Sequence, residues 1–220
     1  MVKCCISPVR QWKKKYQYKW HECGNPVAVL FERSIMVSAA WQKEEIYMDT
    51  RRMTKTAMIA AIYTALCFVP GLSMIAFGQI QVRIAEALTV LPVLDKDAIW
   101  GVTFGCFLAN LIGAMTGINP TGIIDAVIGT SATFLAAVCT WKFRDIRTFN
   151  MPLLSALMPV VFNFFFVGAE LAFLFMPDHL ITGTLLNGTY VAIGELIAVT
   201  VGIFLLPALG RTGLFTGSEE

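Results

Sequence analysis

Five charged side chains interrupt long apolar stretches of this 220-residue chain. They are Arg83, Glu86, Asp125, Glu170 and Glu195. Each would cost about 2.5–3.5 kcal/mol at the centre of a membrane-spanning helix, so such groups usually face a protein interior and mark a path or a binding site. Four carboxylates against one guanidinium leave negative charge without a partner. A ligand that offers a cation or several N–H donors would complete such a site.

The apolar stretches that position these charges predict an all-α membrane protein. Apolar residues make up 56% of the chain and charged residues only 15%, a composition typical of an integral membrane protein. A helix needs about 20 apolar residues to cross a hydrocarbon core roughly 30 Å thick. Six transmembrane helices are predicted, at about 56–76, 80–94, 98–114, 121–141, 152–176 and 185–206. The second is short and charged, and a re-entrant segment is the alternative there.

The distribution of Lys and Arg predicts the orientation of the spans. These residues collect in cytoplasmic loops. With six spans and a cytoplasmic N terminus, the three outer loops contain no Lys or Arg, whereas omitting the second span would place Lys142, Arg144 and Arg147 outside. We therefore expect both termini to lie in the cytoplasm.

Residues 1–47 form a basic, aromatic-rich leader that we expect to lie outside the fold. The transmembrane domain is predicted to cover 48–214, and a cytoplasmic tail to cover 215–220. A signal peptide is disfavoured because Glu32 and Arg33 divide the leader's apolar stretch. A segment attracted to anionic lipid, or an extension upstream of a start at Met48 or Met53, accounts for the leader instead.

The helix rise of 1.5 Å per residue gives the depth of the polar residues within the predicted topology. Side chains from five helices fall within about 20 Å of the outer surface. Separately, each has a simpler explanation: Arg83 and Glu86 neutralise each other, Asp125 caps its helix, and the asparagines join helices. Their shared depth favours a substrate-binding site, whose candidate residues are Arg83, Glu86, Asn110, Asp125, Asn163, Glu170, Asn187 and Glu195.

Several catalytic classes lack their motifs in this chain. No GxxxxGK[ST] phosphate loop and no HExxH occur. The cysteines and histidine of the leader match no standard zinc spacing, and Asp125 has no second embedded aspartate to pair with. We therefore predict no catalytic residue, no metal, no cofactor and no nucleic-acid partner. Binding or transport of a small molecule remains.

Small residues recur at every fourth position of the first predicted span, at Ala57, Ala61 and Ala65. This spacing lets helices approach closely in lipid. Packing inside the bundle and docking of another subunit are both open interpretations.

Three stretches of the chain resemble one transporter family. They are FGQIQVRIAEALTVLPVL at 77–94, WGVTFGCFLANL at 100–111 and IDAVIGT at 124–130. Together they are similar to the QueT family of queuosine-precursor transporters, which are substrate-binding S-components of energy-coupling factor (ECF) transporters. The resemblance covers about 53–214. It implies an S-component-like bundle in a bacterial plasma membrane, an outward-facing pocket, and docking of a transmembrane coupling subunit on Ala57, Ala61 and Ala65.

The resemblance also implies a function, namely capture of a 7-deazaguanine precursor at the outer face, with import driven by two ATPase subunits. A carboxylate would accept the ligand's N–H groups, and Phe77, Trp100 or Tyr190 would stack on its ring. Three alternatives stay open. They are an S-component for another small heterocycle or vitamin, a proton-coupled secondary transporter that uses Glu195, and a membrane scaffold.

Overall fold

The computed structural model describes residues 50–69, 83–148, 151–213 and 215. The chain divides into two units, 1–50 and 51–220, and the fold below is that of the second. The leader, Phe77 and the tail from residue 216 onward lie outside the described residues. The domain boundaries drawn from the sequence therefore stay predictions.

Helices make up most of the described chain. Helix α1 covers 50–67, and α2, α3, α4 and α5 cover Ala98–Met115, Ile123–Lys142, Leu153–Phe175 and Leu180–Arg211. A 3-10 helix, η1, covers Ile84–Val93, and a short 3-10 turn at Pro177–His179 joins α4 to α5. The described residues contain no strand, only an isolated β-bridge between Thr148 and Met151. The prediction of an all-α protein is confirmed.

Four helical stretches are long and apolar enough to cross a membrane. They are α2, α3, α4 and the stretch Pro177–Arg211, which contains α5. They correspond to the third, fourth, fifth and sixth predicted spans, and they confirm a multi-pass membrane protein. The orientation of the termini stays a prediction.

The first two predicted spans differ from the others. The described part of α1 ends at Cys67, and the rest of the first predicted span beyond residue 69 lies outside the described residues. Helix η1 has ten residues and contains Pro92, which lacks a backbone N–H. At about 2.0 Å per residue η1 extends about 20 Å, less than the hydrocarbon core of about 30 Å. The described part of the second predicted span is thus too short to cross the core alone.

Glycines allow the closest helix contacts. A Cβ on Gly105 of α2 would lie 2.6 Å from the Cβ of Tyr63, so α1 packs directly on the backbone of α2. A Cβ on Gly202 of α5 would collide with the carbonyl oxygen of Ala87 in η1. The small residues of α2 and α5 therefore serve packing inside the bundle.

The bundle has two chemically different ends. At the first, which we call the basic end, Lys55 of α1 forms an ion pair with Asp95 and lies 3.6 Å from Asp97 Oδ2. At the second, the loop end, α2 turns into α3. Gly117 and Gly122 bracket that turn with φ of 71° and 66°, the left-handed region that glycine adopts without steric cost.

Candidate functional site

A buried ion pair joins the start of η1 to the start of α3. Arg83 Nη2 lies 2.7 Å from Asp125 Oδ2, and the two side chains are 7% and 1% exposed. Asn119 Nδ2 donates to the same carboxylate oxygen at 2.9 Å. Removing one partner of a buried pair costs about 3–5 kcal/mol. The charge of Asp125 is therefore balanced within the fold.

Neighbouring groups hold Asp125 in this position. Asn119 Oδ1 accepts a hydrogen bond of 2.6 Å from the Thr121 hydroxyl, which orients the Asn119 amide. Asn110 of α2 donates to the backbone carbonyl of Asp125 at 3.0 Å. Gly129 leaves room for the carboxylate, since a Cβ there would collide with Asp125 Oδ1. Both helices and the loop that joins them thus fix one side chain.

Glu86, in the first turn of η1, bonds to α1. The Tyr63 hydroxyl donates a hydrogen bond to Glu86 Oε1, and both side chains are almost fully buried. Oε2 of Glu86 has no hydrogen-bond partner among the described residues. One acceptor oxygen therefore remains unused inside the bundle.

Asn163 of α4 and Glu195 of α5 form a second polar contact. Asn163 Nδ2 donates to Glu195 Oε1 at 2.5 Å, while Glu195 Oε2 has no partner in the described part of the chain. Glu195 lies about 22 Å along α5 from the loop end. It is deeper than the sequence predicted because the helix starts at Leu180 and not at Leu185.

Glu170 of α4 has no hydrogen bond to either carboxylate oxygen within the described residues, although its side chain is only 3% exposed. It lines a groove of about 510 Å³ between α3 and α4, a volume in the range of small-molecule sites. The other lining residues are apolar or aromatic: Ile124, Ile128, Phe165, Phe166, Ala169 and Phe173. Such a groove suits a flat, largely apolar ring that carries N–H donors.

The carboxylates of this region differ in how well they are paired. Asp125 forms an ion pair with Arg83 through Oδ2, and its Oδ1 has no hydrogen-bond partner among the described residues. Glu86, Glu170 and Glu195 also each retain at least one oxygen without a hydrogen-bond partner there, and none of the three forms an ion pair among the described residues. A buried carboxylate with no partner must take a proton, a cation or an N–H donor. The three glutamates are therefore the carboxylates of the site that have unsatisfied oxygens and no ion-pair partner among the described residues.

The structure gathers most, but not all, of the predicted site residues. The eight polar candidates lie between the loop end and the middle of the bundle, where Asn187 has a buried Nδ2 with no partner in the described chain. Trp100 does not join them, because it lies in the first turn of α2 at the basic end. Its side chain is 53% exposed and stacks on Phe104 with ring centroids 6.1 Å apart.

Two simpler explanations offered by the sequence are not realised. Arg83 forms its ion pair with Asp125, and the Arg83–Glu86 ion pair is not formed. Asp125 does not cap α3, whose N-cap is Gly122 with no side-chain hydrogen bond. Both residues instead belong to contacts between helices.

Sequence reasoning missed three residues that shape the site. Asn119 and Thr121 support Asp125 from the loop, and Tyr63 holds Glu86 from α1. The Asn-Pro-Thr-Gly stretch directly before α3 was an available signal, since Asn and Thr side chains commonly organise turns and helix starts. Tyr63 gave a weaker signal, because a tyrosine in an apolar helix needs a partner for its hydroxyl.

The alanine stripe of α1 is exposed. Ala57, Ala61 and Ala65 are exposed, whereas Ala60 and Tyr63 on the other face are buried against the bundle. Packing within the described bundle therefore does not account for the stripe. This face of α1 is therefore uncovered, and its small side chains let another helix approach closely.

Long apolar helices around a polar interior are the plan of a multi-pass membrane transporter. The chain belongs to the QueT transporter family, whose family model matches residues 53–211. The queuosine precursor transporter QueT of Lactococcus lactis subsp. cremoris is 29% identical over 164 residues, which cover 70% of this chain and 89% of that protein. No solved structure matches the chain. The protein is accordingly a transporter and not an enzyme.

Proposed function

We propose that this chain is the substrate-binding subunit of an ECF-type importer and captures a 7-deazaguanine precursor of queuosine at the outer face of the membrane. The observation that carries the proposal is the set of unsatisfied carboxylates on Glu86, Glu170 and Glu195. The relative from Lactococcus lactis, named as a queuosine precursor transporter, supports the choice of ligand.

The ligand class fits the chemistry of the site. A 7-deazaguanine presents a ring N–H and an exocyclic amino group, which a carboxylate accepts much as acidic side chains accept base N–H groups elsewhere. An aminomethyl substituent would add a cation for a second carboxylate. Glu86 and Glu195 each have a buried oxygen without a hydrogen-bond partner among the described residues, and either carboxylate would be stabilised by such a cation.

Energy for import would come from other subunits. The sequence has no phosphate loop of its own, and the exposed alanines of α1 provide a face for a transmembrane coupling subunit that binds two ATPase subunits. In this arrangement Ala57, Ala61 and Ala65 contact the partner, and the polar cluster binds the substrate. Orientation follows the Lys and Arg distribution, with the loop end outside.

Uptake into proteoliposomes tests the proposal. Vesicles containing this chain alone are expected to show no accumulation of labelled deazaguanine, and vesicles that also contain the coupling and ATPase subunits should accumulate it with ATP. Accumulation by the chain alone, driven by a proton gradient, would identify a secondary transporter and contradict the proposal.

Ala61→Trp examines the docking face within the same assay. The bulky ring should clash with the coupling subunit and abolish uptake while ligand binding to the isolated chain is retained. Ile197→Trp is the matched control, since Ile197 is 51% exposed on α5 and should tolerate the ring in both assays. Loss of binding in Ala61→Trp would show that the stripe serves internal packing.

A further inference from the structure

Helices α4 and α5 run antiparallel, and their closest contacts fix which residues lie at the same level. A Cβ on Gly168 would lie 2.8 Å from the Cα of Gly188. Nearer the loop end, a Cβ on Gly183 would lie 3.0 Å from the Cβ of Ala172. The segments 168–172 and 183–188 therefore lie side by side along this seam.

Glu170 and Asn187 both fall inside these segments, so they lie at one level of the bundle. Both oxygens of Glu170 and the Nδ2 of Asn187 are buried and lack hydrogen-bond partners among the described residues. Glu170 also lines the groove together with Ile124 of α3, the residue directly before Asp125. Two acceptor oxygens and one donor nitrogen are thus unsatisfied at one depth.

The helical repeat shows that these side chains share a face with the polar pair deeper in the seam. Glu170 follows Asn163 by seven residues, and Asn187 precedes Glu195 by eight, so each pair lies two turns apart on one face of its helix. An apolar layer that includes Val167 packed with Val191 lies between the two levels. The Glu170–Asn187 level is therefore a separate polar layer, closer to the loop end.

The geometry points to Glu170 and Asn187 as the subsite that reads the amino-lactam edge of the ligand, which carries a carbonyl, a ring N–H and an exocyclic amino group in a row. Glu170 accepts from the ring N–H and the amino group, and Asn187 Nδ2 donates to the carbonyl. The inference rests on the proposed function and deepens it, because it assigns the guanine-like edge to one of three unsatisfied glutamates. The side chains that line the groove beside Glu170 are otherwise apolar or aromatic, and bonds to a carboxylate are stronger in such surroundings than in water.

This assignment predicts a specific pattern of selectivity. A ligand that lacks the exocyclic amino group leaves one Glu170 oxygen unsatisfied, and a buried unpaired acceptor is costly. For bonds to a charged group, the expected loss of affinity is about 10- to 150-fold. An adenine-like edge, which has no N–H at the ring position and a donor where the carbonyl should be, mismatches both residues.

Titration of two ligands into the purified full-length chain tests the assignment. The ligands are 7-deazaguanine and 7-deazahypoxanthine, which lacks the amino group. The wild type should prefer 7-deazaguanine by about 10- to 150-fold, and Glu170→Gln should reduce that preference to within about threefold. Asp178→Asn is the control, because Asp178 is an exposed acid at the same end of the bundle, and it should behave like the wild type.

Asn187→Ala provides a second, independent readout. Both ligands have the carbonyl, so this variant should weaken both equally and keep the preference for the amino group. If the Glu170→Gln variant keeps the wild-type preference for 7-deazaguanine, the assignment is overturned, even if the stability of the variant has changed. An Asn187→Ala variant that binds both ligands as the wild type does would overturn it as well. A wild type that binds neither ligand would instead overturn the proposed function, and the assignment with it.

Discussion

The contact between η1 and α3 and the seam between α4 and α5 both contain buried carboxylates, but the two regions differ in how those carboxylates are paired. At the first, one oxygen of Asp125 accepts hydrogen bonds from both Arg83 and Asn119. At the second, Glu195 accepts one hydrogen bond from Asn163, and Glu170 accepts none from the described residues. All three carboxylates are buried, so burial alone does not distinguish them.

The difference separates a structural role from a binding role. A buried charge that is held by a counter-charge stabilises the arrangement around it, whereas a buried charge without a counter-charge raises the free energy of the folded protein. Folding tolerates that cost where a ligand later supplies the missing bonds. The proposed function therefore uses Arg83 and Asp125 as the framework of the site, and Glu170, Glu195 and Glu86 as its substrate contacts.

The largest expected effect comes from breaking the paired region. Asp125→Asn removes the negative charge that Asp125 contributes to the buried ion pair with Arg83, so the free energy of unfolding should fall by about 3–5 kcal/mol. Chemical unfolding in detergent measures the change. The double variant Arg83→Met with Asp125→Leu removes both charges and should recover much of the stability. A stable Asp125→Asn protein with lost ligand affinity would move Asp125 into the substrate-binding group.

An intermediate effect is expected in the unpaired seam. Glu195→Gln keeps the volume and removes the charge, so an aminomethyl deazaguanine should lose about 1.5–3 kcal/mol of binding free energy. The unsubstituted deazaguanine serves as the control ligand and should bind as it does to the wild type. Stability should stay level or rise, because a buried charge that has no counter-charge in an ion pair among the described residues has been removed, while the amide oxygen can still accept the hydrogen bond from Asn163. Equal loss for both ligands would show that Glu195 does not recognise the cation.

An effect of the same size, but on stability and not on binding, is expected in the loop that supports Asp125. Asn119→Ala removes one hydrogen bond to a charged group that still has Arg83, so the free energy of unfolding should fall by about 1.5–3 kcal/mol. Thr116→Ala, at an exposed position of the same turn, should change it by about 0.5 kcal/mol or less. An Asn119→Ala protein as stable as its control would show that Arg83 alone holds Asp125.

The sequence predicted the last four spans well, because a span depends on a local pattern, although the last helix begins five residues earlier than predicted and Glu195 lies deeper as a result. Apolar length identifies a span, and 1.5 Å per residue converts position into depth. The sequence marked the second span as short and charged, but it did not predict the 3-10 geometry of η1, which contains Pro92.

The partners of the charged groups were not predictable from spacing. Arg83 precedes η1 with an extended backbone, φ of −86° and ψ of 99°. Its side chain therefore does not follow the helical face on which an i, i+3 pair with Glu86 depends, and it bonds to α3 instead. The register of α4 against α5 depends on glycine contacts such as Gly168 with Gly188, which no single-helix pattern encodes.

Equilibrium binding to the isolated chain tests the central claim most directly. The purified protein, without ATPase or coupling subunits, should bind 7-deazaguanine saturably with one ligand per chain, and binding should raise its unfolding temperature as the ligand concentration exceeds the dissociation constant. The absence of saturable binding and of any thermal shift, in a protein that is folded and monodisperse, would contradict the account.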